Sequence, residues 1–170
     1  MDICELLAGS DLFLMLVDEP ELMHELLSLV TETYIRFLRE WQKIWPPAGS
    51  HSVHWGWLQK GHIMIRNDSM MNLSPAMFTE FVRPYDQCLY DAFGGGAMHF
   101  CGRGDHYIEQ VSDMPGVHAV NMSQPQYNNM EMMFRHTAEK GIRLLGCDPK
   151  ATADAMSHLG ATARAVHCPA

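Results

Sequence analysis

The chain has 170 residues, 47% hydrophobic and 19% charged, with a net charge of −8. That is enough for a single domain with its own core, and it excludes a disordered chain. No Lys/Arg run offers a nucleic-acid footprint, and no uncharged apolar run approaches the about 18 residues that span a membrane.

Residues 1–16 are mostly apolar, interrupted by Gly9-Ser10-Asp11, and read as the tail of one element followed by a short helix. Asp2 and Glu5 stand where a signal peptide would be basic. Asp18-Glu19-Pro20 opens the next helix with a cap, an acid and an early proline. Met23, Leu26, Leu27, Val30, Tyr34, Phe37, Leu38 and Trp41 then recur at spacings of three and four, which predicts an amphipathic helix to about residue 42. Pro46-Pro47 breaks it. Residues 51–60 carry His51, His54, Trp55 and Trp57 and read as a loop, either ligand-binding or packed by its rings on a helix. Residues 62–66 form a strand ending at Asn67-Asp68-Ser69, and Ser74-Pro75 opens a second helix. Pro84 falls inside that helix's apolar pattern and should split it near Val82.

The stretch Gly94-Gly95-Gly96-Ala97-Met98-His99-Phe100-Cys101-Gly102-Arg103-Gly104-Asp105-His106 reads as a turn, a buried strand and a glycine-flexed loop. His99 and Cys101, two apart on a strand, point to the same face. They are either a pair of zinc-type ligands or an imidazole and a thiol buried in a core strand. A short helix follows at 106–111, with Asp105 placed to cap it. Residues 117–122 form another strand. Asn128 or Asn129 caps a helix to about 140, and Gly141 stops it. Residues 142–147 form a strand, 151–159 a helix and 163–167 a last strand.

Strands ending near 68, 100, 123, 147 and 167 and alternating with helices imply βα units in a parallel sheet. Ligands bind beyond the carboxyl ends of such strands. Asp68, His99, Cys101, Asn121, Gln124, Cys147, Asp148, His167 and Cys168 collect on that rim, where Arg103 reads as the one cation. Asp68 is placed to orient a substrate or a metal ligand, or to cap a helix. Asn121 and Gln124 can hydrogen-bond a ligand or serve turns. Cys147 is either a ligand or a buried thiol. The five cysteines are odd in number and widely spaced, which suits a reducing cytoplasm and no disulfide framework.

The Asn67-to-Pro75 segment, the Phe78-to-Tyr85 block and Met98-His99-Phe100-Cys101-Gly102 resemble the uroporphyrinogen decarboxylase superfamily. The likeness is strongest to the branch with corrinoid- and thiol-linked methyltransferases. The resemblance implies a partial (β/α)8 barrel, residues 1–170 supplying about the last five strands without the final helix. A whole barrel takes about 250 residues. It implies zinc held by His99, Cys101 and Cys168, a fourth position open for a thiol, and methyl transfer to that thiol from a corrinoid protein, with Gly102 and Gly104 letting the corrinoid approach. Asp68, Asn121, Gln124 and His167 would face the substrate. A histidine at 167 also matches the decarboxylases, which act without cofactor on a porphyrinogen. A third possibility is a non-catalytic chain that associates with another. Five strands cannot close. The open inner face and free edges are therefore expected to drive self-association or pairing with a complementary chain.

Overall fold

The computed structural model describes residues 1–160 and 165–167. Three helices come first: α1 (Asp2–Ala8), α2 (Leu12–Asp18) and α3 (Pro20–Ile44). A hairpin follows, β1 (His51–His54) and β2 (Trp57–Lys60), paired antiparallel. Then strands and helices alternate: β3 (Ile63–Arg66), α4 (Pro75–Phe81), α5 (Arg83–Phe93), β4 (Gly96–Phe100), α6 (Ile108–Ser112), β5 (Val117–Met122), α7 (Met130–His136), β6 (Arg143–Leu145) and α8 (Pro149–Leu159).

The four strands β3 to β6 lie parallel and in sequence order. This is an α/β arrangement consistent with part of a barrel, and the described residues form no closed barrel. Of the expected fifth strand, residues 163 and 164 lie outside the described residues. Val166 makes a single parallel bridge to Leu144.

The local signals act as their chemistry dictates. Ser74 Oγ accepts the Met77 N–H at 3.2 Å and caps α4. The helical run breaks at Val82, and Pro84 takes an early position in α5. Asn129, not Asn128, caps α7, accepting the Met132 N–H at 3.2 Å. That helix ends at His136, before the expected 140, because Thr137 leaves helical geometry (φ −122°, ψ −80°) and a 3₁₀ turn, Ala138–Lys140, completes the run to Gly141. Asp105 does not cap a helix. It lies inside a 3₁₀ turn and accepts the Asn129 N–H and the Arg103 Nε–H instead.

Period-two alternation divides each strand between two faces. Ile65, Met98, Phe100, Val120, Met122 and Leu144 point to the helices and form the main core. Met64, Ala97, Ala119 and Leu145 form a layer on the opposite face. That inner face is not open to water, contrary to the expectation from the strand count. The segment 51–60 is the hairpin rather than a loop, and Trp57 packs on the Met64–Leu145 layer. Two alanines at its centre leave room for the indole. Gln59 is buried beside it and donates to the Ile63 carbonyl at 3.0 Å. The hairpin turns on Trp55 (φ 49°) and Gly56 (φ 83°), both left-handed as a two-residue type I′ turn requires.

Trp57→Ala should destabilise the chain by about 2–3 kcal/mol, from roughly 100 Å² of apolar cover lost at ~25 cal/mol per Å². Urea unfolding measures this, and a change within error would mean that the hairpin is not a structural cover. A second outcome concerns Asp86 on α5, which is buried against Asn67. Burial pushes its carboxyl up to about 6. The folded state therefore favours the protonated acid. That contribution is complete below the unfolded value near 4 and is lost as pH rises through about 6. Asp86→Asn should gain stability relative to the parent between pH 4 and pH 7.5, by up to about 3 kcal/mol. A pH-independent difference in denaturation midpoint would exclude this.

Candidate metal centre

Along β4 the inward positions are Ala97 and then His99. On β5 they are Ala119 and then Asn121, with His99 and Asn121 in register. A polar layer thus sits directly above the apolar one, toward the carboxyl ends of the strands. His99 and Asn121 are both buried.

Asn121 fixes His99. The Asn121 Nδ2 donates to the Leu145 carbonyl at 2.6 Å, so its Oδ1 must be the atom facing His99. An oxygen can only accept. His99 Nδ1 therefore donates to it, at 2.5 Å, and in the neutral ring Nε2 carries the lone pair. That lone pair faces the thiol and the carboxylate: Cys101 Sγ lies 3.6 Å and Asp68 Oδ1 3.6 Å from Nε2. The three donor atoms lie within 4.8 Å of one another. Zinc bonds of about 2.0–2.3 Å in tetrahedral geometry place ligand atoms about 3.3–3.7 Å apart. Two of the three edges already have that length. The imidazole, thiol and carboxylate are a donor set that zinc accepts, so the residues present fit the metal.

The flanking loops are held from several directions. Asp68 Oδ1 accepts the Cys101 N–H at 2.7 Å. Asp2 on α1 accepts the N–H groups of Asp68 and Ser69, each at 3.0 Å, and the Ser69 hydroxyl. Asn67 is tied to Asp86 on α5. Gln124 accepts the Gly102 N–H. Asn128 accepts the N–H groups of Gly104 (2.7 Å) and Asp105 (3.1 Å) and donates to the carbonyls of Gly102 and Gln124. Cys101 donates to Ser123 Oγ at 3.5 Å. Burial pushes the Cys101 thiol up; the Ser123 hydrogen bond opposes this and the Asp68 charge adds to it. Without a cation beside it, Cys101 is held as a thiol.

The expected residues fall into three groups. His99, Cys101 and Asp68 come together, Asp68 as a third donor rather than as a cap. Asn121 and Gln124 are near, but their amides are engaged in holding His99 and Gly102. Cys168 lies outside the described residues. His167 is exposed, and its backbone bonds Leu144 and Cys147 beside β6. Cys147 is buried in the main core. Gly102 and Gly104 serve internal packing: a Cβ would meet the Met71 sulfur at 2.8 Å and the Phe100 ring at 2.4 Å.

Arg66 was not expected at the site. It is in register with His99 on β3, and its guanidinium lies 5.6 Å from the centre of the Trp55 ring. The same indole stands at right angles to the His99 ring, ring centres 4.8 Å apart. His54 packs on Trp55, and burial, then Arg66 and His99, holds its pKa below the usual value. Arg103, the expected rim cation, is instead paired with Asp105 at 2.7 Å. A cleft lined by Arg66, Asp68, Asp2 and Tyr34 lies between β3 and the helices α1, α3 and α5, and of the triad only Asp68 lines it.

A family model described as Uroporphyrinogen decarboxylase (URO-D) matches residues 8–146, most of the chain. The chain belongs to the URO-D family. Neither the comparison with curated proteins nor that with solved structures gives a match. The URO-D match covers Asp68, His99, Cys101 and Asn121, and it ends before His167 and Cys168. Among the described residues of this URO-D family chain no helix is long and apolar enough to cross a membrane.

Asn121→Ala should weaken zinc binding by about 10–100-fold, since the ring loses the acceptor that sets its tautomer. Competition against a chromogenic chelator reads this. An unchanged affinity in a folded variant would show that Asn121 does not orient His99.

Proposed function

We propose that the chain is a zinc-dependent methyltransferase of the URO-D family, moving a methyl group from a corrinoid protein to a small thiol. The observation that carries this reading is the meeting of Asp68, His99 and Cys101 around one point, with the His99 lone pair turned toward it. Those three residues would hold the metal. Cys168, the third ligand implied by the resemblance, would replace Asp68 or join it. Zinc, when bound, lowers the pKa of a thiol in its open position, so that a thiolate exists at neutral pH.

The chain's own side chains supply the rest. His99 keeps its proton at Nδ1 throughout, because Asn121 Oδ1 holds it there. Trp55 stands at right angles to the imidazole and covers part of it. Arg66, exposed and in register with His99, would bind an anionic end of the substrate while the thiol faces Cys101. Gln124 and Asn128 hold the loop after Cys101, so that the thiol and the imidazole keep their spacing.

Arg66 also supports a second reading, decarboxylation of a porphyrinogen carboxylate. That chemistry needs a cation and no metal, and Arg66 supplies the cation. His167 would then belong to the substrate side.

Purified protein should carry near-stoichiometric zinc, and His99→Ala should reduce it to a tenth or less. Methyl transfer from methylcobalamin to a panel of small thiols should fall at least 100-fold in His99→Ala and in Cys101→Ser. A protein without bound metal that binds porphyrinogen unchanged in chelator and in Cys101→Ser would overturn the methyltransferase reading in favour of the decarboxylase. No turnover of either substrate by zinc-loaded protein would sink both. Asp68→Asn and Cys168→Ser, compared for zinc affinity, identify the third ligand.

A further inference from the structure

We infer that Asp2 is a positioning residue of the metal centre: from α1 it caps the turn that presents Asp68, and so sets how tightly the triad holds its metal. The inference rests on the metal reading and extends it to a helix that contributes no residue to the triad.

The turn after β3 has no cap of its own. It is a 3₁₀ turn, Asp68–Asn72, and the first N–H groups of such a turn find no partner within it. Asn67 stands at the capping position and is of a type that caps well. Its side chain makes no capping bond, because its amide is turned to Asp86. Asp2 supplies the cap from 66 positions away. One carboxylate oxygen accepts the Asp68 N–H at 3.0 Å. The other accepts the Ser69 N–H at 3.0 Å and the Ser69 hydroxyl at 2.7 Å. Glu5, one turn along α1, also meets the Ser69 hydroxyl. The helix that carries both acids is itself seated, since Cys4 between them is fully buried in the main core.

Asp68 is therefore held at both ends. Asp2 takes its N–H, and its own Oδ1 accepts the Cys101 N–H at 2.7 Å. Only the side-chain torsions χ1 and χ2 separate these anchors. Together they set Oδ1 3.6 Å from His99 Nε2, a separation that two zinc ligands take. Loss of the cap removes the backbone anchor and lets the carboxylate leave that position. The linkage runs in reverse as well: a metal that holds Asp68 also holds the turn, and with it the two N–H groups on Asp2. A carboxylate near a cation also attracts it through space, but that effect does not pass through Asp68, so the two are separable.

The test is zinc and cobalt(II) binding to the full chain, read by competition against a chromogenic chelator and by the visible spectrum of the cobalt form. Asp2→Ala should weaken both metals about 10–100-fold, the range for groups that orient a ligand. Its cobalt spectrum should keep the thiolate charge-transfer band and lose ligand-field intensity, as that of Asp68→Asn does. In the Asp68→Asn background, Asp2→Ala should cost nothing further. In the parent, saturating zinc should slow hydrogen exchange at the Asp68 and Ser69 amides by a similar factor. That measurement needs no variant and decides the matter even where Asp2→Ala does not fold. Amides whose exchange zinc leaves unchanged overturn the inference. So does an equal loss of affinity in both backgrounds, since Asp2 then acts by charge alone. An Asp68→Asn chain that binds both metals as the parent does overturns it and leaves the metal reading standing. A parent that binds neither metal overturns both.

Discussion

A primary amide has one accepting and one donating end, and the whole candidate site depends on which way the Asn121 amide points. The Leu145 carbonyl takes the donating end. What remains is an oxygen aimed at His99, and an oxygen sets the imidazole's tautomer without any ion present. The two interactions run in one line across three strands, from β6 through β5 to β4. The sheet's register is therefore also the register of the chemistry. A one-residue slip of β5 would turn Asn121 outward into the helical core and bring Val120 to face His99.

That line is tied to the hairpin by Gly146. Its φ of 69° lies in the left-handed region, and a Cβ there would stand 2.6 Å from the Trp57 ring and 2.8 Å from Asn121 Nδ2. The absence of a side chain thus lets the indole seat on the apolar layer and lets the amide reach the Leu145 carbonyl. One position serves both the packing and the polar layer above it. The loop bearing Asp68 is held differently. Asp2 and Asp86, far apart in sequence, grip it through the backbone N–H groups of Asp68 and Ser69 and through Asn67.

Much of this can be read from the residues alone, because local rules and burial agree. The strand Val117–Met122 stands where its apolar run predicts, and Ser74-Pro75 and Pro84 act as cap and break. His99 and Cys101 share a face because of their spacing of two. The hairpin is harder to read. Its turn is Trp55-Gly56, where the recognisable signal is Asn-Gly or Asp-Gly. The alternation in His51–His54 and Trp57–Lys60 is the signal that remained, masked by histidines and tryptophans that suggest a loop. Arg66 escapes because a charge ending an apolar strand looks like a solvent-facing terminus. Only the pairing of Arg66 with His99 puts it on the inner face. Asp2 and Asp86 could not be foreseen as supports of the site, since contacts between residues 66 and 19 positions apart leave no periodicity.

The two layers on the inner face place opposite demands on the same hairpin. Ala97 and Ala119 need apolar cover, and Trp57 supplies it. Two residues further along each strand, His99 and Asn121 need shielding from water without losing access to a ligand, and Trp55 meets that need from the other side of the turn. A type I′ turn holds Trp55 at a positive φ, a conformation that costs a non-glycine residue of order 1 kcal/mol. Asparagine or glycine would relieve that strain, but neither could place a ring against both His99 and Arg66. The strain is therefore offset by the contacts of the indole. Cover for the core and closure over the site both depend on the hairpin, which carries both tryptophans. Seen this way, the chain's structural cover and its candidate chemistry are two halves of one four-residue turn.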